Sequence, residues 1–579
     1  MTPARPYPWE RSYPPGVRWD TPIETCTLPA LLDRAVGAHG DKPALDYRDR
    51  KISYRELGAL ADQFAAALLR LDLGRGTPIA VYLPNTPYHP IAFFGAMRAA
   101  ARIVHLSPLD AERELVHKLA DSGARTLVTV NFPAMLAMAR KLAAAGHVDR
   151  LIVGDELYWG PAPIQPEAFA ESERTIAFTR LLRGQSIPRE WPLVSVEDVA
   201  LLQYTGGTTG QPKAALISHV NLTAATYMYA AWYDPQTEIE PGSDRVICVL
   251  PLFHMYALSA VMLSQLRRGN ELLLRTRFDV ESVLHDIEVK RATLFPGVPT
   301  MWIALVSHPG IEKRDLSSLR QCGSGGAPLP VEIAERFERL TGLKLRNGWG
   351  MTETSPAGTG FALGGPEKPG SIGLPLPGIV MEVVAADDPK RVLGPNQIGE
   401  FRIQGLNVTK GYWNRPAETA AAFADGFFLT GDMGYMDEDG YFFLVDRKKD
   451  MIISGGFNVY PGVIESAIFE HPEVEEAIVI GIPDAYRGEA AKAFVKMKRG
   501  AAPLTLEALC AFLADKIGRH EMPAALELRD ALPRTPVGKL SKKELVEEER
   551  QKRAATAASP PLAATRPQAE ANPLRAARS

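Results

Sequence analysis

Residues 198–232 read DVALLQYTGGTTGQPKAALISHVNLTAATYMYAAW. The stretch opens on a short apolar run, DVALLQY, and closes on NLTAATYMYAAW, whose apolar residues recur at helical spacing. Between them, within residues 203–219, stand three glycines, three threonines and Lys213. A run of this kind can offer an anion several backbone N–H groups, hydroxyl donors and one positive charge. It is not a Walker loop. Gln211 and Pro212 separate Gly210 from Lys213, and Ala214 stands where a hydroxyl residue would follow the lysine. A Gly/Thr cluster by itself is equally a surface turn, so its meaning depends on what surrounds it.

Working outward, residues 28–200 alternate short apolar runs, PIAVYLP (78–84), RIVHLS (102–107), TLVTV (126–130) and RLIVG (150–154), with longer helical patterns such as YRELGALADQFAAALLRL (54–71). The alternation resumes beyond the loop with RVICVLPLF (245–253) as strand and MYALSAVMLSQLRRG (255–269) as a helix closed by glycine. Buried strands alternating with helices predict an α/β fold. Past residue 370 the texture changes to Pro/Gly-punctuated β runs, GIVMEVVA, GEFRIQG and GYFFLVD, which predict a β subdomain. A further α+β unit of roughly 100 residues is expected from about residue 451 to 545. The expected division is an N-terminal extension (1–27), a large domain (28–446), a short connection (447–450), a small domain (451–545) and a disordered tail (546–579), alanine- and proline-rich from Gln551 on.

A chain of 579 residues is too long for one core, and 46% hydrophobic content fills several. A net charge of -3, with basic residues in no dense block, argues against nucleic acid and makes small-molecule chemistry the default. Cys26, Cys248, Cys322 and Cys510 lie far apart, without zinc-like spacing, and read as incidental thiols of a reducing compartment. The N-terminus lacks the apolar core of a signal peptide and no run of about 18 apolar residues occurs, so a cytoplasmic protein is expected, with peripheral membrane contact left open.

Six stretches, in order, give the loop its context: YTGGTTGQPK (204–213), PLFHMYAL (251–258), SGGAPL (324–329), NGWGMTE (347–353), FFLTGD (427–432) with DRKKD (446–450), and PRTPVGK (533–539). Together they resemble the AMP-forming adenylating superfamily, which includes acyl-CoA synthetases, coumarate-type ligases, luciferases and peptide-synthetase adenylation domains. The resemblance spans about residues 28–545. It implies a two-step enzyme: ATP and a carboxylic acid give an acyl adenylate and pyrophosphate, and coenzyme A then displaces AMP.

The same resemblance assigns roles. Thr205, Gly206, Gly207, Thr208, Thr209 and Lys213 would close over the β- and γ-phosphates, with Lys213 equally readable as a solvent-facing charge. Trp349, beside Gly350, would stack on adenine; relatives mostly carry tyrosine there. Thr352 would touch the α-phosphate, and Glu353 with Thr208 would hold Mg²⁺, an ion that takes one or two carboxylates plus substrate phosphates. Gly325, Gly326 and Ala327 would line the adenine and acyl pocket, Asp432 and Arg447 would bind the ribose, and His254 would gate the acyl site. Lys539 would bridge carboxylate and α-phosphate. Lys449 matches the hinge, which the resemblance places at 447–450 and which would make the small domain (451–545) mobile, and Gly455 and Gly456, with Asn458 nearby, would pass pantetheine. Medium- or long-chain fatty acids, or dicarboxylates of the pimelate type, are the expected substrates. Aryl or coumarate-type acids, or loading of a carrier protein, are the alternatives, and monomer and homodimer stay open.

Overall fold

The computed structural model describes residues 5–205, 212–326, 331–364, 368–454, 457–484, 487–534 and 540–557. The chain forms two compact units that divide after Lys449.

The larger unit holds two seven-stranded sheets and an antiparallel β subdomain. In the first sheet the spatial order is Thr175–Ala177, Arg150–Gly154, Thr126–Val130, Pro78–Val81, Arg102–His105, Val199–Thr205 and Lys213–Ser218. Neighbours are parallel up to Val199–Thr205, and Lys213–Ser218 runs antiparallel to it. The four apolar runs named above form strands of four or five residues. They are Val/Ile-rich and nearly all buried, as parallel strands covered on both faces must be. The second sheet runs Leu345–Asn347, Gln321–Ser324, Leu294–Gly297, Arg245–Cys248, Glu271–Leu274, Pro43–Tyr47 and Arg50–Ser53. Strands on either side of residues 78–218 therefore share one sheet, and the first sheet is an insertion into the second.

Two elements differ from expectation. Residues 213–218 form a strand, so the glycine-rich loop joins two antiparallel strands, and the helix His219–Tyr233 begins only after it. The helix pattern from Tyr256 opens as a π-helix, Tyr256–Leu263, before continuing as Ser264–Arg268 with Gly269 at φ 83° as its left-handed cap.

The β subdomain pairs Val380–Val384, Gly399–Gln404 and Phe427–Met436, with Phe442–Arg447 on the last of these. The N-terminal extension is built into it. Trp9 stacks on Tyr7 at 4.8 Å and tilts against Phe442, while the Trp19 indole donates to the Ile379 carbonyl at 2.6 Å. Gly440, at φ 85°, admits the Trp9 backbone, which would lie 2.4 Å from a Cβ there.

The smaller unit is a sheet of Phe457–Val459, Ile452–Ser454, Gly488–Met497 and Val474–Asp484, with Ala525–Leu528 parallel to Gly488–Met497. Helices Pro461–Phe469 and Leu506–Leu513 supply Ile464, Ile468, Leu509 and Leu513 to its core. The final helix, Lys542–Ala557, overruns the expected start of the tail at residue 546. Its charge order explains this: Arg550 pairs with Glu547 and Lys552 with Glu549, one turn apart. Residues 558–579 lie outside the described residues.

Trp9 is only 2% exposed. Trp9→Ala is expected to cost about 3 kcal/mol, read as an earlier urea transition of the larger unit. An unchanged midpoint would show that the N-terminal strap lies outside the cooperative core.

Candidate active site

In sheets of this winding, ligands bind beyond the carboxyl ends of the strands where the strand order reverses. Four of the motifs sit there. Gln321–Ser324 and Leu345–Asn347 are parallel neighbours with Ser324 opposite Asn347, so Gly325 and Gly326 leave the sheet beside Gly348 and Trp349. His254 follows the central strand Arg245–Cys248, and Thr205 ends its strand in the first sheet.

The segment 349–356 is a forced return. A Cβ on Gly350 would fall 1.4 Å from the Pro356 carbonyl oxygen, so no side chain fits. Thr352–Thr354 makes one 3-10 turn and Ser355 takes a left-handed φ of 59°. Asn407, fully buried, holds this turn through its amide, which donates to the Thr354 and Ala357 carbonyls at 2.7 Å. The Thr409 backbone N–H donates to the Glu353 carbonyl, also at 2.7 Å.

Two clusters result. In the first, the Trp349 indole donates to Asp432 Oδ2 at 2.8 Å, and Arg447 Nε lies 3.0 Å from Asp432 Oδ1. Asp432 and Arg447 are direct partners across two antiparallel strands, which fixes their pairing. Asp432 is 2% exposed and Arg447 is the solvent-facing member. Burial raises the Asp432 carboxyl above its usual range, and Arg447 and the indole oppose that shift.

In the second, the Tyr412 hydroxyl donates to Glu353 Oε1 at 2.9 Å. Burial raises the Glu353 carboxyl too, against the pull of its hydrogen bonds and of Arg447 and Lys213. Lys213 lies with its ammonium 4.3 Å from the centre of the Tyr412 ring and 2.9 Å from Glu418. Lys213 is thus tied to the Glu353 side of the site, and its backbone pairs with Thr205, whose hydroxyl donates to the Lys213 carbonyl at 3.4 Å. Thr352 is half-buried beside Glu353.

A third group lies at the mouth of the π-helix. His254 Nδ1 accepts from the Tyr256 N–H at 3.3 Å, and the Phe253 carbonyl accepts from Gln203 at 3.0 Å. A Cβ on Gly325 would meet the Tyr256 ring at 2.9 Å, so this glycine lets the ring lie on backbone. Gly326 takes φ 82°.

Gly206, Gly207, Thr208, Thr209, Ala327, Gly455, Gly456 and Lys539 lie outside the described residues. Lys449 is the last residue of the larger unit, and the Asn458 backbone pairs with Ile453 in the smaller one. Asn407 and Tyr412 were not singled out by sequence. Their segment, GLNVTKGYW, reads as a turn, and what gives them function is contact with residues more than 50 positions away.

Residues 32–413 match the AMP-binding enzyme family, and residues 463–539 match the AMP-binding enzyme C-terminal domain. The chain belongs to the AMP-binding enzyme family. It is 38% identical to a long-chain-fatty-acid–CoA ligase of Bacillus subtilis over 94% of this chain and 98% of that protein. It is 36% identical to a feruloyl-CoA synthase of Amycolatopsis over 85% and 93%. Its fold matches ATP-bound MatB of Rhodopseudomonas palustris with a TM-score of 0.80 at 29% identity, covering 90% of this chain and 99% of MatB. No helix among the described residues is long and apolar enough to cross a membrane.

Within this AMP-binding enzyme the three cysteines of the larger unit are buried, and burial pushes the Cys248 thiol up to about 12, so it stays a protonated packing group. Gly350→Ala is expected to abolish pyrophosphate exchange, because the clash with Pro356 must unfold the return that carries Trp349 and Glu353. Exchange within twofold of the parent would show that the return is not required.

Proposed function

We propose that this AMP-binding enzyme activates a long-chain fatty acid to its acyl adenylate and transfers the acyl group to coenzyme A. The observation that carries the reading is a buried carboxylate, Asp432, held by an indole and an arginine, joined through the segment 349–353 to a second buried carboxylate, Glu353, held by a phenol. The relatives' names support the acid–thiol chemistry and the fatty substrate.

A carboxylate oxygen of the acid attacks the α-phosphorus of ATP, and the bond from that phosphorus to the bridging oxygen breaks, releasing pyrophosphate. The thiol sulfur of coenzyme A then attacks the acyl carbonyl, AMP departs and the thiol proton is lost. Both reactants of the first step are anions, so the site has to offset their repulsion and hold them in line. Thr352 and Lys539 take the α-phosphate side in this reading, and Thr205 with Gly206, Gly207, Thr208 and Thr209 takes the pyrophosphate side. Trp349 supplies the base platform, and Asp432 and Arg447 the ribose contacts. Lys213, bonded to Glu418, acts by steadying Tyr412.

Among the described residues no group of three or more His, Cys, Asp or Glu side chains could cage a metal. A single carboxylate whose Oε1 is fixed by Tyr412 fits Mg²⁺, which takes its other ligands from phosphate and water. Glu353, with Thr208, would hold it, and the ion would neutralise phosphate charge. Tyr412→Phe is expected to raise the Mg²⁺ concentration for half-maximal pyrophosphate exchange several-fold with the acid KM unchanged; an unaltered Mg²⁺ requirement would separate Tyr412 from the metal site.

One observation favours an aryl or other oxygen-bearing acid as a second reading. Tyr229 and Tyr233 stack at 6.4 Å on the helix that packs near Tyr256, and burial raises all three phenols, with Tyr233 at about 12. Phenols in an acyl pocket would suit a polar ring or tail better than a plain methylene chain. A panel of fatty, α,ω-dicarboxylic and hydroxycinnamic acids with ATP, Mg²⁺ and coenzyme A, followed by AMP release, decides between them. Highest kcat/KM on C14–C18 fatty acids is the expected outcome, and preference for a hydroxycinnamic acid would overturn it.

The two half-reactions should also separate. Lys539→Ala is expected to abolish pyrophosphate exchange while sparing thioester formation from supplied acyl adenylate. Lys449→Pro should do the reverse, and loss of both steps in either variant would refute this division.

A further inference from the structure

Asp432 carries two differently engaged oxygens. Oδ2 accepts the Trp349 indole N–H at 2.8 Å. Among the described residues Oδ1 is shut off from solvent and accepts no hydrogen bond, although Arg447 Nε is 3.0 Å away. The guanidinium supplies charge without an aligned donor, so among the described residues the aligned side-chain bond on this carboxylate comes from the indole. A buried carboxylate with an unsatisfied oxygen is costly unless a ligand donor completes it.

The indole is itself immobilised. Its backbone N–H donates to the Thr359 hydroxyl at 3.2 Å and its carbonyl accepts from the Thr359 N–H at 2.9 Å. One face of the ring lies on Gly358, where a Cβ would sit 2.5 Å from ring carbon Cε3, and the Phe401 edge meets it at 6.2 Å and 82°. The ring therefore presents its N–H to Asp432 from a fixed position, with Gly358 packed against its Cε3–Cζ3 side.

Resting on the assignment of Asp432 to the ribose, we infer that Trp349 is a positioning residue for ribose recognition. Its N–H fixes the rotation of the Asp432 carboxylate, and Oδ1 accepts from the ribose hydroxyls once the half-exposed Arg447 side chain beside it moves aside. A phenylalanine at this position keeps an aromatic face for adenine but has no donor, so it loses hydroxyl selectivity while retaining base stacking. Stacking and ribose recognition are thereby joined in one side chain.

The test compares ATP with 2′-deoxy-ATP and 3′-deoxy-ATP, by isothermal titration with Mg²⁺ present and by pyrophosphate exchange, in the parent, Trp349→Phe and Asp432→Ala proteins. The parent is expected to prefer ATP over at least one deoxynucleotide by roughly tenfold. Trp349→Phe should lose most of that preference, weakening ATP far more than the deoxy form, with the acid and coenzyme A KM values unmoved. A merely structural tryptophan would weaken all three nucleotides alike, and that result overturns the inference. Should Trp349→Phe not fold, Trp349→Leu, which also lacks a donor, gives the same reading in the ratio of ATP to deoxynucleotide affinity. If Asp432→Ala loses the preference while the Trp349 variants keep it, only the inference falls. If Asp432→Ala keeps it, the ribose assignment itself falls, and the inference with it.

Discussion

The site depends on one backbone contact, the approach of Gly350 to the Pro356 carbonyl, which leaves no room for a Cβ. That contact folds the chain back on itself within seven residues. Trp349 is thereby sent toward Asp432 and Glu353 toward Tyr412, although the two sit only four positions apart. The strained Ser355 and the buried Asn407 amide keep the return closed. The indole bond to Asp432 and the phenol bond to Glu353 both start from residues beside this return, whereas the Asp432–Arg447 pairing is set by two antiparallel strands.

Burial is the second organising force. Asp432 and Glu353 are both nearly solvent-free, and burial raises both carboxyls. Each accepts from a neutral donor, an indole in one case and a phenol in the other, and Asp432 also faces Arg447 Nε at 3.0 Å. A neutral donor orients a carboxylate without cancelling its charge. Lys213 shows the alternative: its ammonium is already committed to Glu418 and to the Tyr412 ring. The strand Lys213–Ser218 is thus held at its first residue by an ion pair.

Much of the larger unit was legible because its parallel strands are short Val/Ile runs between strong helix patterns, as at 78–81, 126–130 and 150–154. The order of the six motifs carried the family and the two-step chemistry. What escaped was whatever depends on pairing across distance. KAALIS reads as neither helix nor strand until it lies against residues 199–205. The π-helix differs from an α-helix by one residue per turn, which periodicity over eight residues cannot resolve. The indole bond to Asp432 joins residues 83 apart, and Trp349 by itself suggests only a platform. The N-terminal segment looked like an appendage because prolines and charges mask Tyr7 and Trp9, which are buried, Trp9 against Phe442 of the β subdomain.

That segment also sets a schedule for synthesis. Trp9 packs against Phe442 and Gly440, and strand Pro43–Tyr47 pairs with Glu271–Leu274. Trp9 and the strand Pro43–Tyr47 therefore wait for partners made some 430 and 230 positions later. At 5–20 residues per second the delay for Trp9 is roughly 20 to 90 s. Through that interval an aromatic cluster and an unpaired strand edge stand exposed, the kind of surface that chaperones engage. The larger unit thus completes these two contacts only after residues 271–274 and 442 have been made, and the segment about Trp9 is unpaired until then.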